Sequence, residues 1–242
     1  MAGRPCLRWV YGVTTVPERR ADLLPNTLRS LAAAGFGEPR LFVDGGEDGY
    51  GEFKLQVTYR FPRVGAVGNW ILALMELLIR EPTADRYAIF QDDIACSKGL
   101  RGYLERSPWP GQAYLNLITF ESNQKLAPAH GGWFESRTTR HSGDRKLQTG
   151  YGAVALVFDR PAVLALLADT RVTHRPVEPE PYRTTGIDAF VVNSLNNAGF
   201  REWVHSPSLV GHTGMRSTMG NAPHPTAGTS FKGEAFDLME VR

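Results

Sequence analysis

The sequence predicts an α/β fold: one domain with a mainly parallel central sheet flanked by helices. Three observations carry this. Short apolar runs of strand character recur along the chain, the clearest at residues 87–91. Segments with apolar residues at helical spacing lie between them, the clearest at residues 65–80. Two of the strand-like runs end on acids, at Asp44-Gly45-Gly46 and at Asp92-Asp93. Alternating strands and helices favour a parallel sheet. In open sheets of this kind, ligands gather at the C-terminal ends of the strands.

The 242 residues suit one large α/β domain or two small ones. The reading here is one domain, with a C-terminal segment laid back over the strand ends. A formal net charge of +2 demands neither a nucleic-acid nor a membrane partner. Cys6 and Cys96 are far apart and form no metal-type spacing. A reduced, cytosolic setting is the simplest expectation. The first residues lack the apolar core of a secretory signal. No apolar run approaches the ~20 residues of a membrane span.

Taken in order, residues 8–14 read as the first strand. The segment after it, Thr14-Thr15-Val16-Pro17-Glu18-Arg19-Arg20, holds no glycine-rich dinucleotide fingerprint. A helix then opens at Asp22 or near Pro25, carries Leu24, Leu28 and Leu31, and stops at Gly35. Residues 41–43 form a second strand ending on Asp44, and residues 56–61 a third. Along the 65–80 helix, Ile71, Leu74, Met75, Leu78 and Ile79 make one apolar stripe for core packing. Asn69 and Trp70 lie near its start, where backbone amides and the helix dipole favour anions.

The central strand follows and should stop at Asp92, because Asp is a poor strand former. Residues 100–104 suggest a short helix and 113–119 another strand. From 121 to 149 the periodicity dissolves. This stretch holds Gly131-Gly132-Trp133-Phe134 and a basic run, Arg137, Arg140, His141, Arg145 and Lys146. Aperiodic segments this long are usually functional or disordered. Residues 150–158 recover strand character, and Pro161 opens a helix through 163–167. Residues 174–185 form a proline-rich extended loop. A helix over 186–198 turns Ile187, Phe190, Val191, Leu195 and Ala198 inward and ends at Gly199. Residues 200–204 are a last strand.

Adjacent carboxylates such as Asp92 and Asp93 repel each other unless a cation or donor groups compensate. A divalent metal carrying a diphosphate is one such compensation, since magnesium and manganese share oxygen ligands with phosphates. A solvated turn after a strand is the other reading.

Several pieces together resemble one family. They are the first strand with TTVPERR, the Asp44-Gly-Gly turn, Gln91-Asp92-Asp93, Gly186-Ile187-Asp188 opening a helix, and Pro207-Ser-Leu-Val-Gly-His212-Thr-Gly-Met-Arg-Ser217. In this order, across about the whole chain, they resemble a GT-A-fold glycosyltransferase. The last segment is similar to the C-terminal motif of the N-glycan-branching N-acetylglucosaminyltransferases and related bacterial and viral enzymes. The resemblance implies metal-dependent transfer of a sugar from a nucleoside-diphosphate sugar, most often a UDP-sugar, to an acceptor hydroxyl with inversion. It implies manganese or magnesium as the cofactor. Residues 1–120 would be the nucleotide-sugar half, and 121–242 the acceptor half with its tail.

By position, the resemblance implies Asp93 as metal ligand and His212 as a further metal or diphosphate ligand. Asp92 and Gln91 would face the ribose or metal-bound water. The family more often has an acid where this chain has Gln91, which leaves the metal site one charge poorer. Thr14, Thr15 and Arg19 would hold the base and phosphates, Arg216 would add a phosphate contact, and Asp44 would meet uracil or ribose. Asn69 and Trp70 would shape the donor side. Trp133, Phe134 and Tyr151 would offer an apolar platform for a ring. Asp188 would be the general base that deprotonates the acceptor hydroxyl.

Other readings stay open. Thr185 to Asp188 also fits a helix capping box, and Asp44 a plain Asp-Gly turn. The acceptor is a glycan or small hydroxylated molecule. The basic run offers phosphate contacts, which makes a hydroxylated DNA base a second acceptor class. With no anchor segment, a soluble bacterial or viral enzyme is expected. Rival classes are a nucleotidyltransferase, which needs a phosphate-gripping loop after the first strand, and a non-catalytic nucleotide- or sugar-binding domain. Near-neutral charge and the lack of helix-turn-helix or zinc patterns argue against a nucleic-acid-binding module.

Overall fold

The computed structural model describes residues 7–137, 139–142, 145–148, 152–174, 186–214 and 230–240, with the backbone alone for 139–142 and 145–148. The chain opens on β1 (Trp9–Thr15), α1 (Leu23–Ala33), β2 (Arg40–Asp44), β3 (Val57–Arg60), α2 (Gly65–Arg80) and β4 (Arg86–Gln91). Next come β5 (Ile94–Cys96), α3 (Leu100–Arg106), β6 (Ala113–Asn116), α4 (Glu121–Gln124), β7 (Gly132–Glu135) and a hairpin of β8 (Thr139–Ser142) and β9 (Arg145–Gln148). The last third holds β10 (Ala155–Asp159), α5 (Arg160–Ala168), α6 (Thr170–Thr173), α7 (Ile187–Asn197), β11 (Arg201–Ser206) and β12 (Val210–His212).

Eight strands make the central sheet in the order β3-β2-β1-β4-β10-β6-β11-β7. The first four are all parallel, as helix crossovers require. β10 enters antiparallel between β4 and β6. β6 and β11 are again parallel, and β7 closes the edge antiparallel. The sheet is thus mostly parallel and sits between two helical layers. Successive β4 residues alternate between them. Tyr87 and Ile89 join Trp70, Leu74, Phe158 and Phe190 under α2, α5 and α7. Ala88 and Phe90 join Leu24, Leu31, Phe36 and Leu100 under α1 and α3. A strand buried on both faces reads as one continuous apolar run, which is why β4 is legible in the sequence.

The differences from expectation have local causes. The buried stripe of α2 is Val67, Trp70, Ile71, Ala73, Leu74 and Leu77, and Ile79 is 73 % exposed. Ile79 lies two residues past Leu77, about 200° around the helix, so it faces away from the stripe. Ala198 caps α7 and is exposed rather than inward. The aperiodic stretch after residue 121 contains α4, β7, β8 and β9, each only four residues long. Elements that short present too few positions for a period to register. Cys96 is buried, while Cys6 lies outside the described residues. Among the described residues, no helix is long and apolar enough to cross a membrane.

β5 positions the site. The chain turns at Asp92 and Asp93, leaves the main sheet, and β5 pairs antiparallel with β12, His212 opposite Ile94. Residues 210–212 therefore lie beside the turn at the end of β4.

Candidate functional site

Asp92 and Asp93 occupy the turn between β4 and β5, and each is only 2 % exposed. Thr27 of α1 ties this turn down. Its Oγ1 accepts from the Ile94 amide at 3.1 Å and lies 2.8 Å from the Asp92 carbonyl oxygen. Burying two adjacent carboxylates requires compensation, and Arg19 supplies it. Arg19 Nη1 donates to Asp92 Oδ1 at 2.6 Å and to Asp93 Oδ2 at 2.7 Å. Thr15 Oγ1 donates to Asp92 Oδ2 at 2.6 Å. His212 Nε2 lies 3.1 Å from Asp93 Oδ2, and the Thr213 amide donates to the Asp93 carbonyl at 2.7 Å. Gly214 passes so close that a Cβ there would sit 2.7 Å from Asp93 Oδ2, a separation that real Cβ atoms essentially never show.

The two acids differ in character. Burial pushes the Asp92 carboxyl above the ordinary carboxylate value, more than Arg19 and Thr15 pull it down. Burial acts the same way on Asp93, but the hydrogen bond and charge of His212, with Arg19, hold it below the ordinary value. Asp93 is therefore the more readily ionised of the two. Its Oδ1 is buried with no hydrogen-bond partner among the described residues. Such an atom calls for a cation or a donor.

The residues present fit a hard divalent ion on a specific pattern. Asp93 and His212 supply two groups, and magnesium-type ions are commonly held by one or two carboxylates plus substrate phosphates and water. Among the described residues, no three His, Cys, Asp or Glu side chains form a metal-holding cluster. The protein share of such a site is thus small.

A second part of the site borders the first. Gln91 donates from its backbone amide to the Val154 carbonyl at 2.7 Å, and from Nε2 to the Ala153 carbonyl at 3.3 Å. The next residue back, Gly152, donates its amide to Asp188 Oδ2 at 3.2 Å. Asp188 Oδ1 accepts from the Ala189 amide at 2.9 Å. Asp188 is half-buried, in the first turn of α7. The helix N-cap residue is Gly186. Thr185 lies outside the described residues.

The remaining sequence candidates fall elsewhere. Asp44 is buried, and its Oδ1 accepts from the Val64 amide at 2.8 Å, closing the loop before α2. Thr14 Oγ1 lies 3.4 Å from the Phe90 carbonyl. Asn69 is buried and gives its amide to the Phe42 carbonyl at 2.8 Å, a contact inside the core. Trp70 is fully buried, edge-on to Phe158 and Phe190, and shapes no donor face. Trp133 and Phe134 are successive β7 residues and point to opposite faces. Phe134 is buried and Trp133 packs edge-on to His205, so they do not make one platform. Asp92 is buried under Thr15 and Arg19. Tyr151 and Arg216 lie outside the described residues, as do the side chains of Arg140, His141, Arg145 and Lys146. Arg137 is exposed.

Sequence reasoning did not single out Thr27, Asn116, Ser136 or Glu202. Glu202 did carry a signal: an acid in the middle of the strand-like run 200–204. It is 3 % exposed, and burial pushes its carboxyl up to about 7.

No protein-family model matches the chain, and no curated protein matches it. Solved structures share part of its layout. One is CMP:2-keto-3-deoxy-manno-octonic acid synthetase complexed with CTP: 14 % identity, TM-score 0.46, covering 83 % of this chain and 92 % of that one. Another is mannose-1-phosphate geranyltransferase from Thermus thermophilus: 13 % identity, TM-score 0.46, covering 82 % and 74 %. A third is HddC from Yersinia pseudotuberculosis: 10 % identity, TM-score 0.44, covering 85 % and 93 %. Likeness at this level assigns neither substrate nor reaction.

Proposed function

We propose that the protein is a glycosyltransferase that moves a sugar from a nucleoside-diphosphate sugar, a UDP-sugar first among candidates, to an acceptor hydroxyl with inversion. The observation that supports this is a pair of carboxyl sites with different surroundings at one end of the sheet. Asp93 is buried and paired with Arg19 and His212. Asp188 stands beside the neighbouring β10 entry, one hydrogen bond from Gly152.

Arg19 holds Asp92 and Asp93 in fixed positions and offsets part of their charge. Asp93 and His212 would hold the divalent cation. When bound, that ion supplies electrostatic stabilisation of the departing diphosphate. Asp188 accepts the proton of the attacking hydroxyl at one carboxylate oxygen. The amides of Gly152 and Ala189 donate to that carboxylate and orient it. A positioned base of this kind contributes typically ~10²–10⁴-fold to rate. Nucleotidyl transfer is an alternative of comparable standing, and it would need a phosphate-gripping loop after β1. Arg19 is on the two acids and Arg20 is on Glu52.

The test is a thermal-shift titration with UDP, GDP, CDP and dTDP, each with and without manganese, followed by turnover of the matching nucleotide sugars. Metal-dependent stabilisation by one nucleotide, lost in Asp93→Asn, is the expected result. Absence of any metal-dependent shift would remove the donor site. Asp188→Asn should keep donor binding and lose transfer; unchanged transfer would refute the base.

A further inference from the structure

We propose that Glu202 is a positioning residue for the Asp188 carboxylate, acting through the Asn116 amide and residue Gly152. The proposal rests on Asp188 being the base. Glu202 lies on β11 and projects into the protein from the strand beside β6. It accepts from Ser136 Oγ and, at 3.2 Å, from Asn116 Nδ2, with the Tyr114 hydroxyl 3.5 Å away. Asn116 Nδ2 also donates to the Gly152 carbonyl at 2.8 Å, and Asn116 Oδ1 accepts from the Ile118 amide at 3.2 Å. That last bond sets which way the amide faces. Reversing it would put oxygen against the Glu202 and Gly152 oxygens. One NH₂ group therefore connects the Glu202 carboxyl to the Gly152 carbonyl, and the N–H on the other side of the same Cα meets Asp188 Oδ2.

Gly152 has little freedom to drift. Its φ is +75°, and a Cβ there would meet Phe120 at 2.4 Å and Ile118 at 3.2 Å. Rings and branched carbons on one side and Asn116 on its carbonyl hold residue 152 in the place from which its N–H meets Asp188. A buried acid on a strand is costly where an apolar residue would pack. Here it is surrounded by three donors from β6 and the end of β7, which accounts for its being tolerated. The charge of Asp188 also raises the Glu202 carboxyl, behind burial, so the two groups interact.

The test uses the full chain with ¹³C-labelled aspartate, the Asp188 carboxyl signal being identified by its loss in Asp188→Asn. Glu202→Ala and Asn116→Ala should move that signal while the Asp169 signal stays, and Glu202→Gln should restore it. Turnover is followed as UDP release from UDP-glucose, UDP-galactose and UDP-N-acetylglucosamine with water as acceptor. Both alanine variants should lose about tenfold to a hundredfold in kcat with KM within about twofold. In the Asp188→Asn background, Glu202→Ala should cost nothing more, because coupled residues are non-additive. If Glu202→Ala does not fold, Asn116→Ala decides, since it leaves Glu202 with Ser136 and Tyr114. An Asp188 signal unmoved in the alanine variants, or equal losses with and without Asp188, overturns the proposal. Full turnover in Asp188→Asn would instead refute the base itself.

Discussion

Replacing Glu202 by Gln should make stability less sensitive to alkaline pH. Burial raises this carboxyl from an ordinary 4.5 to about 7. A raised folded-state value means that the folded protein holds the proton over that interval while the unfolded chain releases it. The stabilisation is therefore complete below pH 4.5 and is lost as pH rises through about 7. The interval corresponds to about 3 kcal/mol. The introduced glutamine would offer a neutral side chain of the same shape. Its oxygen would take the Asn116 donor, and its NH₂ would meet a rotated Ser136 hydroxyl. Urea unfolding of both proteins across a pH series from about 4.5 to about 8.5 gives the difference, in which all other titrations cancel. The variant should gain on the parent by about 3 kcal/mol as pH rises, then level off above about pH 7.5. A difference that stays flat across the series would refute the burial argument.

Arg19→Met should destabilise strongly, by about 3–5 kcal/mol, because it leaves two buried carboxylates without their shared cation. Chemical denaturation measures it, and a loss below about 1 kcal/mol would show that solvent reaches the pair. Trp70→Ala removes a fully buried ring between Phe158 and Phe190 and should cost about 3–5 kcal/mol by the same assay. It should leave nucleotide binding intact in the protein that remains folded; a binding defect would return Trp70 to the donor side. Gly152→Ala must either strain a φ of +75° or displace Phe120. It should cost about 1–2 kcal/mol and lower kcat without raising donor KM. Unchanged kcat would mean that the Gly152 amide does not orient the base.

Local sequence was enough for much of the framework. The run 87–90 is apolar because β4 is covered on both faces, and the strand ends where the acids begin. α2 runs over Gly65–Arg80 as its spacing implies. Gly199, with a φ of +87°, ends α7 in a conformation that other residues resist. These features depend on neighbours within a turn or two, so the residues that cause them stand together in the chain. The same locality explains the errors. Asn69 and Trp70 have the right position near a helix start, but the helix face they occupy packs on the sheet. The short elements after residue 121 carry too few positions to show a period.

From the order of residues comes an alternating α/β chain with two acids where its central strand stops. What compensates those acids depends on contacts between distant elements. Arg19 reaches them across 74 residues because β1 lies parallel beside β4. His212 arrives from the tail because β12 pairs with β5 in a register that sets it opposite Ile94. Glu202 meets Asn116 across 86 residues because β11 runs beside β6. Charge pairing acts over a few ångströms in space, and strand register alone sets which distant residues come that close. A sequence read along its length has the charges but not the register.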